Sequence, residues 1–153
     1  MNRHTLICIV LFSTIAPAQA PQVQRYVVLP PHSQATVLPV LLWGKGSYAS
    51  WTPSQTDIED LELKLPQISE LKIKGWESTG IRKDHPEKYF RQYVGVKLHG
   101  KREIYINAFC DDPPPPDWRT RLYVVIDGDI GYWHAFYDTN KKTFSDLTIN
   151  YRA

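Results

Sequence analysis

The chain is short of cysteine, with two in 153 residues, and Cys8 lies inside an N-terminal apolar run. Once that run is removed, Cys110 stands alone and no intramolecular disulfide can form. A lone thiol in an oxidising compartment is buried, paired with another chain, or reactive. Charge of one sign is lacking too: 18 Lys and Arg face 16 Asp and Glu. Phosphate recognition needs a clustered positive excess, so nucleic acid is not the expected partner. Beyond the first twenty residues no apolar stretch approaches the roughly 18 residues of a membrane span. His32, His85 and His99 fall at irregular spacing, which gives no zinc pattern. Asp127-Gly128-Asp129 offers too few oxygens for calcium and suits a turn. No metal or cofactor is expected.

What is present begins with an export signal. Arg3 and His4 precede the apolar run Leu6–Phe12, and Ala18-Gln19-Ala20 is a small-x-small cleavage site. That order is a secretory signal peptide, too short for a spanning helix. The expectation is therefore a cleaved leader over 1–20, an extended arm over 21–50 and one α+β domain over 51–153. The mature chain is expected in the periplasm or outside the cell, with no membrane span.

Tyr26–Leu29 suggests a short strand, and Pro39 interrupts a second apolar run from Ala35 to Trp43, suiting an edge position. Thr52, Pro53 and Gln55 have the spacing of an N-cap, a first helical residue and a capping-box partner. Ile58, Leu61 and Leu65 form one helical stripe, which Pro66 ends or kinks. From Tyr89 the period changes to two. Val94, Val96 and Leu98 share a face of one strand, and Ile104, Ile106, Ala108 and Cys110 share a face of the next. His99-Gly100 supplies the tight turn between them. Further strands are expected at Leu122–Ile126, Gly131–Tyr137 and Thr143–Ile149, with Asp138–Lys141 as a hairpin turn. One N-terminal helix on a curled antiparallel sheet of four to five strands is the expected α+β architecture.

That order of elements resembles the cystatin-like and NTF2-like folds, which host inhibitors, enzymes and inert modules alike. Arg91–Gly95, Ile104–Phe109, Asp117-Trp118 and Tyr132–Asp138 also resemble a pattern in small exported bacterial proteins of unknown function. That resemblance implies export and no particular chemistry.

Two regions invite a functional reading. Cys110-Asp111-Asp112 leads into four prolines and then Asp117-Trp118. Consecutive prolines form a stiff extended strut, so the segment is either a presented contact loop or a rigid connector. Trp118 is the candidate anchor, with Asp112 and Asp117 at the rim. Tyr93, Tyr105, Phe109 and Tyr123 oppose the aliphatic rows, as an outer aromatic surface or as cross-strand packing. His134 lies among aromatics, a general base only if an acid and a nucleophile meet it. Cys110 lacks any local signature of activation and is expected buried. The expectation is an exported binding module, an inhibitor or immunity-type partner of another exported protein. The alternatives are a small hydrolase using His134 and an envelope scaffold.

Overall fold

The computed structural model describes residues 24–30, 42, 44–71, 85–125 and 128–150. The expected leader and most of the Ala35–Trp43 run lie outside them. Within these residues the chain forms β1 (Tyr26–Val28), β2 (Tyr48–Ser50), α1 (Gln55–Lys64), β3 (Phe90–Leu98), β4 (Lys101–Phe109), β5 (Tyr132–Asp138) and β6 (Thr143–Ile149). Short 3-10 turns occupy Leu65–Glu70, Pro86–Lys88 and Asp129–Gly131. No helix among the described residues is long and apolar enough to cross a membrane.

The α+β class is as expected; the details differ. Six strands form one open sheet, ordered β1-β3-β4-β5-β6, with β2 also pairing to β3. The sheet is not curled, and the helix is not N-terminal, because two strands from the expected arm precede it. β1 runs parallel to β3, with Tyr26 opposite Arg91, and β2 runs antiparallel, with Tyr48 opposite Leu98. Between them Trp51 N–H donates to the Gly95 carbonyl. A β-carbon at Gly95 would collide with the Trp51 carbonyl and the Pro53 ring, so only glycine admits this crossing.

The helix starts two residues later than the spacing of Thr52 and Gln55 indicates. Ser54 is the N-cap: its hydroxyl accepts from Asp57 N–H at 3.2 Å, and the Asp57 carboxylate accepts from Ser54 N–H at 2.9 Å. Two capping boxes overlap in Thr52–Asp57, and the one closed by a carboxylate wins. A charged acceptor makes the stronger bond and suits the positive helix end. Pro66 ends the α-helical hydrogen bonding as expected, yet the apolar stripe continues through the 3-10 turn as Ile58, Leu61, Leu65 and Ile68, all buried.

His99 and Gly100 both have positive φ, 48° and 81°. This is the twist a two-residue hairpin loop needs. Leu98 is therefore opposite Lys101, and the register puts Val94 opposite Tyr105 and Tyr93 opposite Ile106. The valine row and the isoleucine row consequently lie on opposite faces of the sheet. The helix side packs Tyr93, Ile104, Ile106, Ala108, Trp133, Ala135 and Tyr137 against α1. The second side carries Val94, Val96, Leu98, Tyr105 and Phe136, covered by Leu29, Leu42 and Leu122. Asp138 accepts from the N–H groups of Asn140 and Lys141, each at 2.9 Å, and shapes the last hairpin.

Two expectations are corrected here. Leu122–Val125 is not a strand; it lies across the second face instead of joining the ladder. Cys110 is exposed, because the pairing of β4 ends at Phe109, opposite Phe90 and Tyr132, and no neighbouring strand shields the next residue.

Candidate functional site

The segment from Cys110 to Val125 leaves β4, passes the four prolines and returns across the second face. Its hold on the sheet comes from two amides, one buried and one half-buried. Gln92, fully buried on β3, donates through Nε2 to the carbonyls of Trp118 and Arg121, the latter at 2.7 Å. Its Oε1 accepts from Tyr123 N–H at 2.8 Å and from Asn107 Nδ2 at 2.9 Å. Asn107 Nδ2 also donates to the Tyr123 carbonyl at 2.7 Å. Gln92 and Asn107 are opposite each other in the β3–β4 register, so the two amides form one polar seam in an apolar face. They stand in for the ladder bonds that a strand would have made, because a covered backbone must find partners somewhere.

Trp118 completes the attachment. It is buried and meets the rings of Phe90 and Phe109 edge-on, at centroid distances of 5.2 and 6.0 Å. Tyr123 is half-buried and packs on Phe109 at 5.1 Å. Tyr132 donates to Asp111 Oδ1 at 2.8 Å, closing the base of the loop. Burial, followed by the Asp111 carboxylate, pushes both phenols above the usual tyrosine range. The exposed side chains of the loop include Asp112, Asp117, Arg119, Thr120, Arg121 and Val124.

The sequence candidates thus divide three ways. Trp118 is the loop's internal anchor, and its ring is buried. Tyr93 and Tyr105 do not form one outer stripe: both are buried, on opposite faces. Asp112 and Asp117 are exposed on the loop, and Tyr123 is partly so. Gln92 and Asn107 were not singled out by sequence. The available signal was a polar amide at an inward position of each strand, in line with Phe90 and Val94 or with Tyr105 and Phe109.

Tyr93 belongs to a second polar group between the sheet and α1. Its hydroxyl donates to Glu62 Oε1, while Arg91 Nε donates to the Tyr93 oxygen at 2.9 Å and Arg91 Nη2 to Glu62 Oε2 at 3.1 Å. Arg91 Nη1 reaches the carbonyls of Pro86, Glu87 and Tyr89 at 2.7–3.2 Å. Burial raises the Tyr93 hydroxyl well above its usual range. Arg91 is held charged against its burial by Tyr93 and Glu62. The group ties helix, sheet and the 86–89 turn together, with its donors spent on internal acceptors.

His134 lies on the second face, opposite Asn107 in β4 and Thr148 in β6, with its ring 5.8 Å from that of Tyr105. Burial and the nearby Lys45 charge push its imidazole below the usual range, leaving it neutral at pH 7. No carboxylate bonds to it among the described residues. Asp111 is engaged with Tyr132, and Asp127 lies outside them. Two surface recesses, of about 350 and 360 Å³, lie beside Val28, Pro53 and Ser54 and beside Tyr48, Lys97 and His99; His134 lines neither.

No protein-family model matches the chain, and no match is found among the curated proteins or the solved structures.

Proposed function

We propose that the chain is an exported binding module that meets another exported protein through the proline-loop surface. The observation that carries this reading is the fixation of an irregular loop onto the sheet by Gln92, Asn107 and Trp118, which leaves polar side chains facing outward. A loop already held in one conformation loses little entropy on association. Asp112 and Asp117 supply the rim contacts and Tyr123 a partly open aromatic one. Trp118 acts as the buried anchor of the presented surface, with Tyr105 and Tyr93 supporting the sheet from its two faces. Export to the periplasm or medium rests on the charge, apolar run and Ala18-Gln19-Ala20 order of the first twenty residues.

The test is a pull-down from the producing cells' envelope and medium. The bait is the chain expressed with its own N-terminus and a C-terminal tag, alongside an Asp112→Ala/Asp117→Ala variant. Recovery of one stoichiometric exported protein, retained less well by the variant, is the expected result. Equal retention by both overturns the loop assignment. A folded bait that retains no partner overturns the binding reading itself.

A further inference from the structure

At one end of the second sheet face, two guanidinium groups are seated on a single aromatic pair. The Phe90 and Trp118 rings meet at 5.2 Å and 65°. Arg25, just before β1, places its guanidinium carbon 4.7 Å from the Phe90 centroid, and its Nη1 donates to the Lys88 carbonyl at 3.1 Å. Arg119, from the returning loop, places its own 4.4 Å from the Trp118 centroid, and its Nη2 donates to the Gln24 carbonyl at 3.4 Å. Main-chain acceptors of Gln24 and Lys88 thus fix the orientation of both groups. Exposed Lys88 and Arg121 flank them, the latter only 3.9 Å from Asp117 in a loose ion pair.

A guanidinium has five N–H donors in one plane. Stacking its face on a ring leaves the edge free to meet a carboxylate in paired bonds, and it restricts a side chain that would otherwise cost entropy to order. Among the described residues, Arg25 and Arg119 each spend one nitrogen on a main-chain carbonyl. Their remaining donors are available at a surface shared by the N-terminal segment and the loop. Carboxylates stand beside this surface too: Asp117, loosely paired with Arg121, and Glu87, next to the Lys88 that accepts from Arg25. Those carboxylates disfavour a continuous phosphate backbone or an anionic membrane, and leave room for discrete acidic side chains between them.

We propose that Arg25 and Arg119 form a carboxylate-docking pair that receives an acidic segment of a protein partner against the Phe90–Trp118 edge. This rests on the binding reading above and names the partner's chemistry.

The experiment follows the arginine Nε–H resonances of the full chain by NMR during titration with an acetylated six-residue glutamate peptide. Saturable shifts at Arg25 and Arg119 are expected. An Arg25→Lys/Arg119→Lys variant, which keeps the charge and loses the planar fork, should bind roughly fivefold or more weakly, the scale of one paired contact. Arg102→Lys, altering a guanidinium stacked on Trp51 elsewhere, should leave the affinity unchanged. If the double variant fails to fold, the two single lysine variants carry the same test. Equal affinity of the lysine variants, or equal shifts at Arg102, overturns the docking pair. Tighter binding of oligodeoxythymidine or phosphatidylserine vesicles overturns the choice of a protein partner. Absence of peptide binding, with the pull-down still recovering a partner sensitive to Asp112 and Asp117, sinks this proposal alone. An empty pull-down sinks the reading beneath it.

Discussion

The two faces of the sheet are covered by different means. On one side a capped helix lays Ile58, Leu61, Leu65 and Ile68 over Tyr93, Ile104, Ile106 and Trp133, and the helix satisfies its own backbone. On the other side Leu29, Leu42 and a proline-rich loop do the covering; the loop bonds to itself only in a turn around Asp117, so the sheet satisfies the rest of its inward backbone with Gln92 and Asn107. A regular cover asks nothing of the sheet for its own backbone, and its polar tie is made by side chains alone, Glu62 to Tyr93 and Arg91. An irregular cover depends on particular polar residues beneath it, and the second face is accordingly the more specific of the two.

The strongest test compares the anchors. Trp118→Ala should cost about 3–5 kcal/mol and Leu61→Ala about 2–5 kcal/mol by chemical denaturation. Comparable losses with unchanged denaturant slopes would show both faces to be parts of one cooperative unit; a small loss at Trp118 alone would make the loop an appendage. Next comes Gln92→Ala, which strips partners from the Trp118, Arg121 and Tyr123 backbone. About 2–3 kcal/mol is expected, since each orphaned buried group costs on the order of 1–3 kcal/mol. Hydrogen exchange should show faster amide exchange in 118–123 than in α1, and uniform acceleration would contradict a local seam. Ser54→Ala should remove about 1 kcal/mol through the lost cap, read as a lower melting temperature with the loop's exchange unaltered.

The smallest effect concerns acidification. His134 is held neutral by burial and Lys45, its pKa below the ordinary 6.5. The unfolded chain therefore takes up this proton first as pH falls. The contribution of His134 is fully present above about 6.5 and is lost as pH falls through the interval between the unfolded and folded values. Glu103 runs the other way: its burial, with Asp138 and Asp146 nearby, raises its pKa. Acidification relieves a strain at that site. Subtracting the melting curve of His134→Gln from that of the parent isolates the histidine, and a difference independent of pH would refute its burial as the cause.

Much of this was legible because it is local. The stripe of α1, the Pro66 stop, the His99-Gly100 turn and the alternation of β3 and β4 are each written within a few neighbouring residues. The helix start was displaced because Thr52 and Ser54 both begin capping boxes, and only the chemistry of Gln55 against Asp57 separates them. The facing of Tyr93 was missed for a different reason. Two alternating strands say nothing about relative facing until the turn length is applied, and a two-residue loop at His99-Gly100 already places Val94 opposite Tyr105. The loop's path over the second face was the least legible, since Leu122–Val125 has the composition of a strand and lies flat on the sheet without joining it. What tells the two apart is Gln92 and Asn107, residues remote in sequence from the segment they hold.

The parallel pairing of β1 has a consequence in time. The strands from β3 to β6 form a run of neighbouring antiparallel pairs, of which β3–β4 and β5–β6 close short turns and so assemble early. β1 must wait for a partner far along the chain, since Tyr26 can be seated only once Arg91 has been placed. As the chain emerges from a ribosome, β1 is made before its partner and docked among the last. Pulse-labelled hydrogen exchange during refolding should find β3 and β4 protected before Tyr26–Val28. Until that strand closes, the Arg25 guanidinium has no Phe90 ring to rest on, and the surface it shares with Arg119 matures only at the final step.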